Sequence, residues 1–250
     1  MAESVGKGVS EKLRRAHMHR KDFERRVERF AHNDAYSVVR QDDVEAGKRR
    51  WVVQIHKRPP SVRWGALIGE CLFNFRSALD HLAYDLAAAN CGLPLDPKIE
   101  GLSQFPIFWK RAARPDELDR MIGGVHPEAR QLIELMQPYG RKGRAALKYL
   151  DALHNFDKHR TLHLTVAMSK GFSYFGDMAI DYLNFGPLED GDVVISGPID
   201  AEQDQKPYFS FGVGFPKSGP GAKAPDVVTT LSWIGQHIEN GVIPPLLPFL

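Results

Sequence analysis

The longest helical pattern in the chain runs from Gly65 to Asn90. Ile68, Leu72, Phe75, Leu79, Leu82 and Leu86 recur at steps of three and four, which sets them on one apolar stripe of a helix. Glu70, Asn74, Ser77 and His81 recur in the same way and form a second, polar stripe. Arg76 lies beside that stripe and reaches Asp80 one turn on. Buried polar groups need partners, so another element has to face this row. The best match is a helix expected over residues 144–160, where Leu147 and Leu150 lead into His154, Asp157 and Thr161 at steps of four, three and four. Pairing of the two helices would bring Asn74, Ser77 and His81 opposite His154 and Asp157. The expectation is that His81 and Asp157 join one polar cluster on facing helices.

The remaining periodicities fill in a mixed fold. Leu13, Ala16, Phe23, Val27 and Phe30 predict a helix from Glu11 to about Ala31, N-capped by Ser10. Tyr36 to Gln41 and Arg50 to His56 read as two short strands with a turn at Ala46-Gly47. Pro59-Pro60 ends that pair, and Ser61 caps the long helix. After Asn90 a long irregular segment rich in Gly and Pro carries an apolar patch, Phe105 to Trp109, expected to fold back over the core. A short helix starts at Pro127 and stops before Pro138.

From Thr161 the period changes to two, with Leu162, Leu164, Val166 and Met168 on one side, which is strand logic. Phe172 to Tyr182, Val193 to Gly197 and Pro207 to Phe215 follow as strands, and Lys217 to Pro225 as a loop. Asp226 then caps a last helix to Asn240, with Gly241 as its C-cap and a Pro-rich tail beyond. The predicted class is α+β: a helical core with a C-terminal antiparallel sheet and a closing helix. Residues 1–160 form the helical core with a small hairpin at 36–56, and residues 161–250 the sheet and last helix, together one structural domain.

Composition changes this picture in few places. With 43% apolar residues the chain can bury a sizeable core, and 33 basic against 31 acidic residues give no global sign of a nucleic-acid or acidic-substrate binder. The first helix is the one basic element, read as a solvated outer face or as a phosphate-tracking surface. No apolar run reaches the roughly 18 residues of a membrane span, and the N-terminal residues lack the apolar core of a secretory signal. Cys71 and Cys91 are separated by roughly 30 Å of helix at 1.5 Å per residue, too far to bridge. Two reduced thiols point to a cytoplasmic protein.

The chemistry the sequence offers is a histidine near a carboxylate. Opening to a cleft, His81 or His154 with Asp157 is a candidate general acid or base; closed off, the same groups are a polar network fixing helix register. His154, His159 and His163 stand at offsets of five and four, but a strand starting at Thr161 breaks the helical spacing that a metal pair needs. No metal site and no cofactor are therefore expected.

Three blocks, LIGECLFNFRSALDHLAYDLA, QFPIF and LDALHNFDKHRTLH, resemble those of a group of uncharacterised bacterial proteins, often actinobacterial, which share RSALDHL, FPI and DKHR. The resemblance covers about residues 60–168 and implies architecture rather than activity. Arg76-Ser77-Ala78-Leu79-Asp80-His81 is also similar to the signature of the helical HEPN domains, many of them ribonucleases: Arg, a polar residue, then His after four to six positions. Similar spacings occur elsewhere in the chain, but the Arg76 copy alone lies in a strongly amphipathic helix. That resemblance implies metal-independent cleavage of RNA, with His81 moving a proton, Arg76 stabilising phosphate charge, and a cleft built across a homodimer. Lys158, His159 and Arg160 of the DKHR block, with Asn74, Ser77 and Asp80, are then candidate binding residues. The other class left open is a non-catalytic ligand- or protein-binding module whose His/Asp cluster is structural.

Overall fold

The helical pattern at the centre of the chain becomes α2, Ser61–Cys91, the longest helix of the molecule. The computed structural model describes residues 6–110, 115–139, 145–173, 179–199, 207–216, 219, 221 and 226–250. Its fold class is α+β, combining helices, an antiparallel four-stranded sheet and a C-terminal helix. The chain divides into two units. Unit one comprises Met1–Lys21, Leu67–Arg160 and Thr230–Leu250, and unit two Asp22–Ala66 and Thr161–Thr229.

In unit one every residue of the α2 stripe is withdrawn from water: Ile68, Leu72, Phe75, Leu79, Leu82 and Leu86 are each 0% exposed. Burying such a side chain stabilises by about 1.5–3 kcal/mol relative to leaving it in solvent, so this stripe dominates the local energetics. The first helix, α1 (Lys7–Ala31), presents Val9, Leu13 and Ala16 to the same core. It starts before the expected Ser10 cap, which lies inside the helix. The Cys71 thiol donates to the Ala16 carbonyl at 3.2 Å.

The segment after α2 is less irregular than its Gly and Pro content suggests. Asp96 caps α3 (Pro97–Leu102) by accepting from the Lys98 N–H at 2.7 Å. A second short helix, α4 (Pro115–Ile122), opens on Asp116 and Glu117, acids that suit the positive end of a helix. The expected α5 (Pro127–Leu135) and α6 (Ala145–Asp157) follow, α6 burying Leu147, Leu150 and Leu153. Asp226 does cap α7 (Val227–His237), accepting from the Val228 and Thr229 N–H groups at 3.1 and 3.3 Å. The helix does not stop at Gly241. It widens into a π turn (Ile238–Val242), in which a Cβ on Gly241 would come within 3.1 Å of the His237 ring. The Pro-rich tail continues as α8 (Ile243–Leu246), with proline in its first turn where no N–H is lost.

Unit two holds the strands. The hairpin β1 (Tyr36–Asp43) and β2 (Lys48–Ile55) turns through Gly47, whose φ of 60° favours glycine. Three further strands lie beyond α6: β3 (Thr165–Ser173), β4 (Tyr182–Leu183) and β5 (Pro187–Leu188). The last two are β6 (Val193–Pro198) and β7 (Tyr208–Gly214). They form two antiparallel sheets, ordered β1-β2-β6-β4 and β5-β3-β7. The N-terminal hairpin therefore joins the C-terminal strands, with Trp51 opposite Ile195. Trp51, Val53, Leu188, Val194, Ile195 and Phe211 make one core between the sheets, with Tyr36 edge-on to Phe211 at 4.7 Å. Phe23 and Phe30 pack edge-to-face on Trp64 at 5.5 and 5.4 Å. The sheet begins at Thr165 rather than Thr161. The strand expected over Phe172–Tyr182 and the loop over Lys217–Pro225 lie largely outside the described residues, as does the chain before Gly6.

Candidate functional site

Two side-chain clamps in unit one fix the Phe105–Trp109 segment. On α2, Arg76 grips Asp80 as a fork, Nε to Oδ2 at 3.2 Å and Nη2 to Oδ1 at 2.9 Å. The same Nη2 donates to the Phe105 carbonyl at 2.7 Å, and the Phe105 N–H donates to Asp80 Oδ1 at 3.1 Å. Gln137, fully buried just past α5, accepts from the Phe108 N–H at 2.8 Å and donates to the Pro106 carbonyl at 2.9 Å. A loop crossing a core must have its backbone groups satisfied, and these two side chains do that.

The clamped loop closes one side of a cleft of roughly 350 Å³ whose other walls are α2 and α6. The polar lining comes from Arg76, Ser77 and Asp80 of α2, and from Asp151, His154, Asn155 and Lys158 on or just past α6. Phe73, Ile107, Phe108 and Met121 supply the apolar surface. Asp151 accepts from Trp109 Nε1 at 2.8 Å and from Asn155 Nδ2 at 2.9 Å. The His154 ring is 6.3 Å from the Phe73 ring.

Charge within the cleft is unevenly used. The Arg76 side chain is 14% exposed and paired, whereas Lys158 is exposed and has no ion pair among the described residues. His154 is buried and its pKa falls to about 4, first through loss of hydration and then through the positive charges of Lys158 and Arg76. At neutral pH it is an uncharged imidazole, with one N–H to donate and one lone pair to offer.

Of the residues singled out in the sequence, Arg76, Ser77, Asp80, His154 and Lys158 come together here. Asn74 turns back on its own helix, donating to the Glu70 carbonyl at 2.8 Å. His81 is exposed and lies against Gly8 of α1, near Asp85, whose pKa is raised by burial and lowered by the His81 charge. Five residues separate His81 from Arg76, about 140° around the helix, so the two side chains diverge. Asp157 lies against Gly69, its pKa raised by burial. Gly69 and Gly8's neighbour His81 are twelve positions apart on α2, about 18 Å, so the expected His81–Asp157 cluster does not form. His159 and Arg160 are exposed in the turn after α6, with the Arg160 guanidinium 5.9 Å from the Phe156 ring centre. Among the described residues no three His, Cys, Asp or Glu side chains converge as metal ligands would.

The residues missed were Asp151, Asn155 and the Gln137 clamp. The signal for the first two was present: Asp151, His154, Asn155 and Lys158 share one face of a helix, at steps of three and four from one another. A second cleft, of roughly 660 Å³, lies in unit two beside Arg58, Ser61, His163, Glu189 and Asp190. Its four charged or titratable groups are all exposed, and Asp190 already accepts from the Ile55 N–H at 2.7 Å, so water screens what charge remains. Among the described residues no helix is long and apolar enough to cross a membrane. Comparison of the chain with protein-family models, with curated proteins and with solved structures found no match.

Proposed function

We propose that this chain is a non-catalytic binding protein whose ligand is a small molecule held in the cleft between α2 and α6. The observation that carries the reading is the division of labour among the polar groups of the cleft. Arg76 and Asp80 are occupied in clamping the Phe105 segment, while Ser77, His154 and Lys158 keep unfilled hydrogen-bonding capacity on the cleft wall. Nuclease chemistry by an Arg/His pair needs the two groups at one phosphate. Arg76 faces the clamp and His81 faces Gly8, which argues for the binding class. The cleft is built from one chain, so the reading needs neither RNA nor a second copy. The free thiols Cys71 and Cys91 favour a reducing compartment such as the cytoplasm.

A fragment screen read by thermal shift tests it. Fragments should raise the melting temperature of the wild type and fail to do so in Asn155→Trp, whose indole fills the cleft mouth. A parallel assay on a mixed RNA pool with EDTA should leave the RNA intact. EDTA-resistant cleavage that disappears in both Arg76→Ala and His81→Ala would replace the binding reading with the ribonuclease one.

A further inference from the structure

The binding reading leaves the chemistry of the ligand open, and the wall groups that are already satisfied narrow it. Asp80 accepts from Arg76 and from the Phe105 N–H, and Asp151 accepts from Trp109 and Asn155 through separate oxygens. Both acids of the cleft are thus turned onto protein donors. What stays unpartnered among the described residues is a set rich in donors: the Lys158 ammonium, the Ser77 hydroxyl and the neutral His154 imidazole. Lys158 offers three N–H bonds and no acceptor, and Ser77 and the imidazole each offer one donor. A ligand group that fills these sites must accept several hydrogen bonds at once and carry negative charge.

The opposite surface sets the rest of the molecule. Phe73 is 53% exposed, with the Lys12 ammonium 5.2 Å from its ring centre, and Ile107, Phe108 and Met121 continue its surface around the cleft. At roughly 350 Å³ the space is at the small end of ligand pockets, which run from about 300 to 1,000 Å³. Loss of hydration is the first cause of the lowered basicity of His154, and the positive charges of Lys158 and Arg76 add to it; those two cations on the wall favour a negatively charged group beside the ring.

From these observations we infer that the cleft takes a small organic carboxylate. Its carboxylate is held by Ser77, His154 and Lys158, and its apolar body lies against Phe73, Ile107, Phe108 and Met121.

The inference rests on the binding reading, and calorimetry with two probes of one shape separates their fates. Benzoate and benzamide are titrated at pH 7 into the wild type, Lys158→Gln and Ser77→Ala, with melting temperatures recorded for all three. The wild type should bind benzoate about tenfold or more tightly than benzamide, the ratio expected when a charge-assisted hydrogen bond is made. Lys158→Gln should bring the two probes to near-equal affinity without lowering the melting temperature, since Lys158 is exposed and unpaired. Ser77→Ala should weaken benzoate more than benzamide. Equal binding of both probes by the wild type overturns the carboxylate while leaving the cleft as the ligand site. A benzoate preference that survives Lys158→Gln overturns it as well. Binding of neither probe overturns it too, and the loss of fragment shifts in Asn155→Trp then decides the wider reading.

Discussion

If Arg76 is a clamp, its energy should be coupled to Asp80 and expressed as stability. The perturbation is a double-mutant cycle of Arg76→Met, Asp80→Asn and the pair. Methionine keeps most of the apolar stem and removes the guanidinium. It strands the Phe105 carbonyl, on a residue that is 0% exposed, and leaves a carboxylate only 30% exposed without its cation. Breaking a fully buried ion pair costs about 3–5 kcal/mol, and an exposed pair one helical turn apart is worth about 0.3–0.5 kcal/mol. The partial exposure of Asp80 sets the present case between them, and the additional bond to Phe105 adds about 1 kcal/mol. Arg76→Met should therefore cost about 3 kcal/mol. Asp80→Asn keeps an acceptor for the Phe105 N–H and should cost about 1–2 kcal/mol. The coupling between the two should reach about 1.5 kcal/mol, because each single variant already forfeits the shared fork. Urea denaturation midpoints at constant m-value read these numbers. A coupling below about 0.5 kcal/mol would mean a solvated surface pair. Arg76 would then be free for ligand chemistry, and the argument from its engagement would fail.

Two further outcomes follow from the same geometry. His154 has a folded pKa of about 4 against 6.5 for the free side chain, so between these values the unfolded chain binds more protons and stability must rise with pH. Acidification from pH 6.5 toward pH 4 should cost the wild type about 2 kcal/mol more than His154→Gln, measured by urea unfolding across that range; identical pH profiles would contradict the buried neutral imidazole. Gly65→Ala and Gly69→Ala gain the same helix propensity, about 1 kcal/mol, but meet different neighbours. A Cβ at Gly65 runs into the Leu162 backbone carbonyl, which cannot step aside, whereas at Gly69 it meets the tip of the Asp157 side chain, which can rotate away. Thermal melts should show Gly65→Ala destabilised by about 1–2 kcal/mol and Gly69→Ala neutral or slightly stabilised; the reverse order would refute the packing at α2.

Elements with a strong local period were legible in the sequence. The α2 stripe, the α5 proline start, the Asp226 cap and the hairpin all follow from residues within a few positions of one another. The pairing of β2 with β6 was not legible, because nothing near Trp51 names a partner more than a hundred residues away. The short α3 and α4 carried signals, Asp96-Pro97 and Pro115-Asp116-Glu117, that the glycines and prolines around them obscured. At the site, Ser77 and His154 lie on the periodic polar stripes, Arg76 and Asp80 stand beside the first of them, and Lys158 entered only with the DKHR block. Extending the Leu147–Leu150 stripe led to Asp157, whereas the cleft face of α6 runs through Asp151, His154, Asn155 and Lys158. Two faces of one helix share His154 as a neighbour, and a one-dimensional pattern cannot choose between them without the opposing wall. That wall, Phe105 to Phe108, comes from a loop whose position depends on Gln137, a residue with no periodicity to announce it.

The claim that the α2–α6 cleft is the ligand site is tested most directly by mapping amide shifts of isotopically labelled protein on titration with a fragment that raises the wild-type melting temperature. The account predicts saturable perturbations centred on Ser77, Gln104, Phe108 and Asn155, with the unit-two residues Ile55, Ser61 and His163 unmoved. Perturbations centred on that second set, or none that saturate anywhere on α2 and α6, would contradict it.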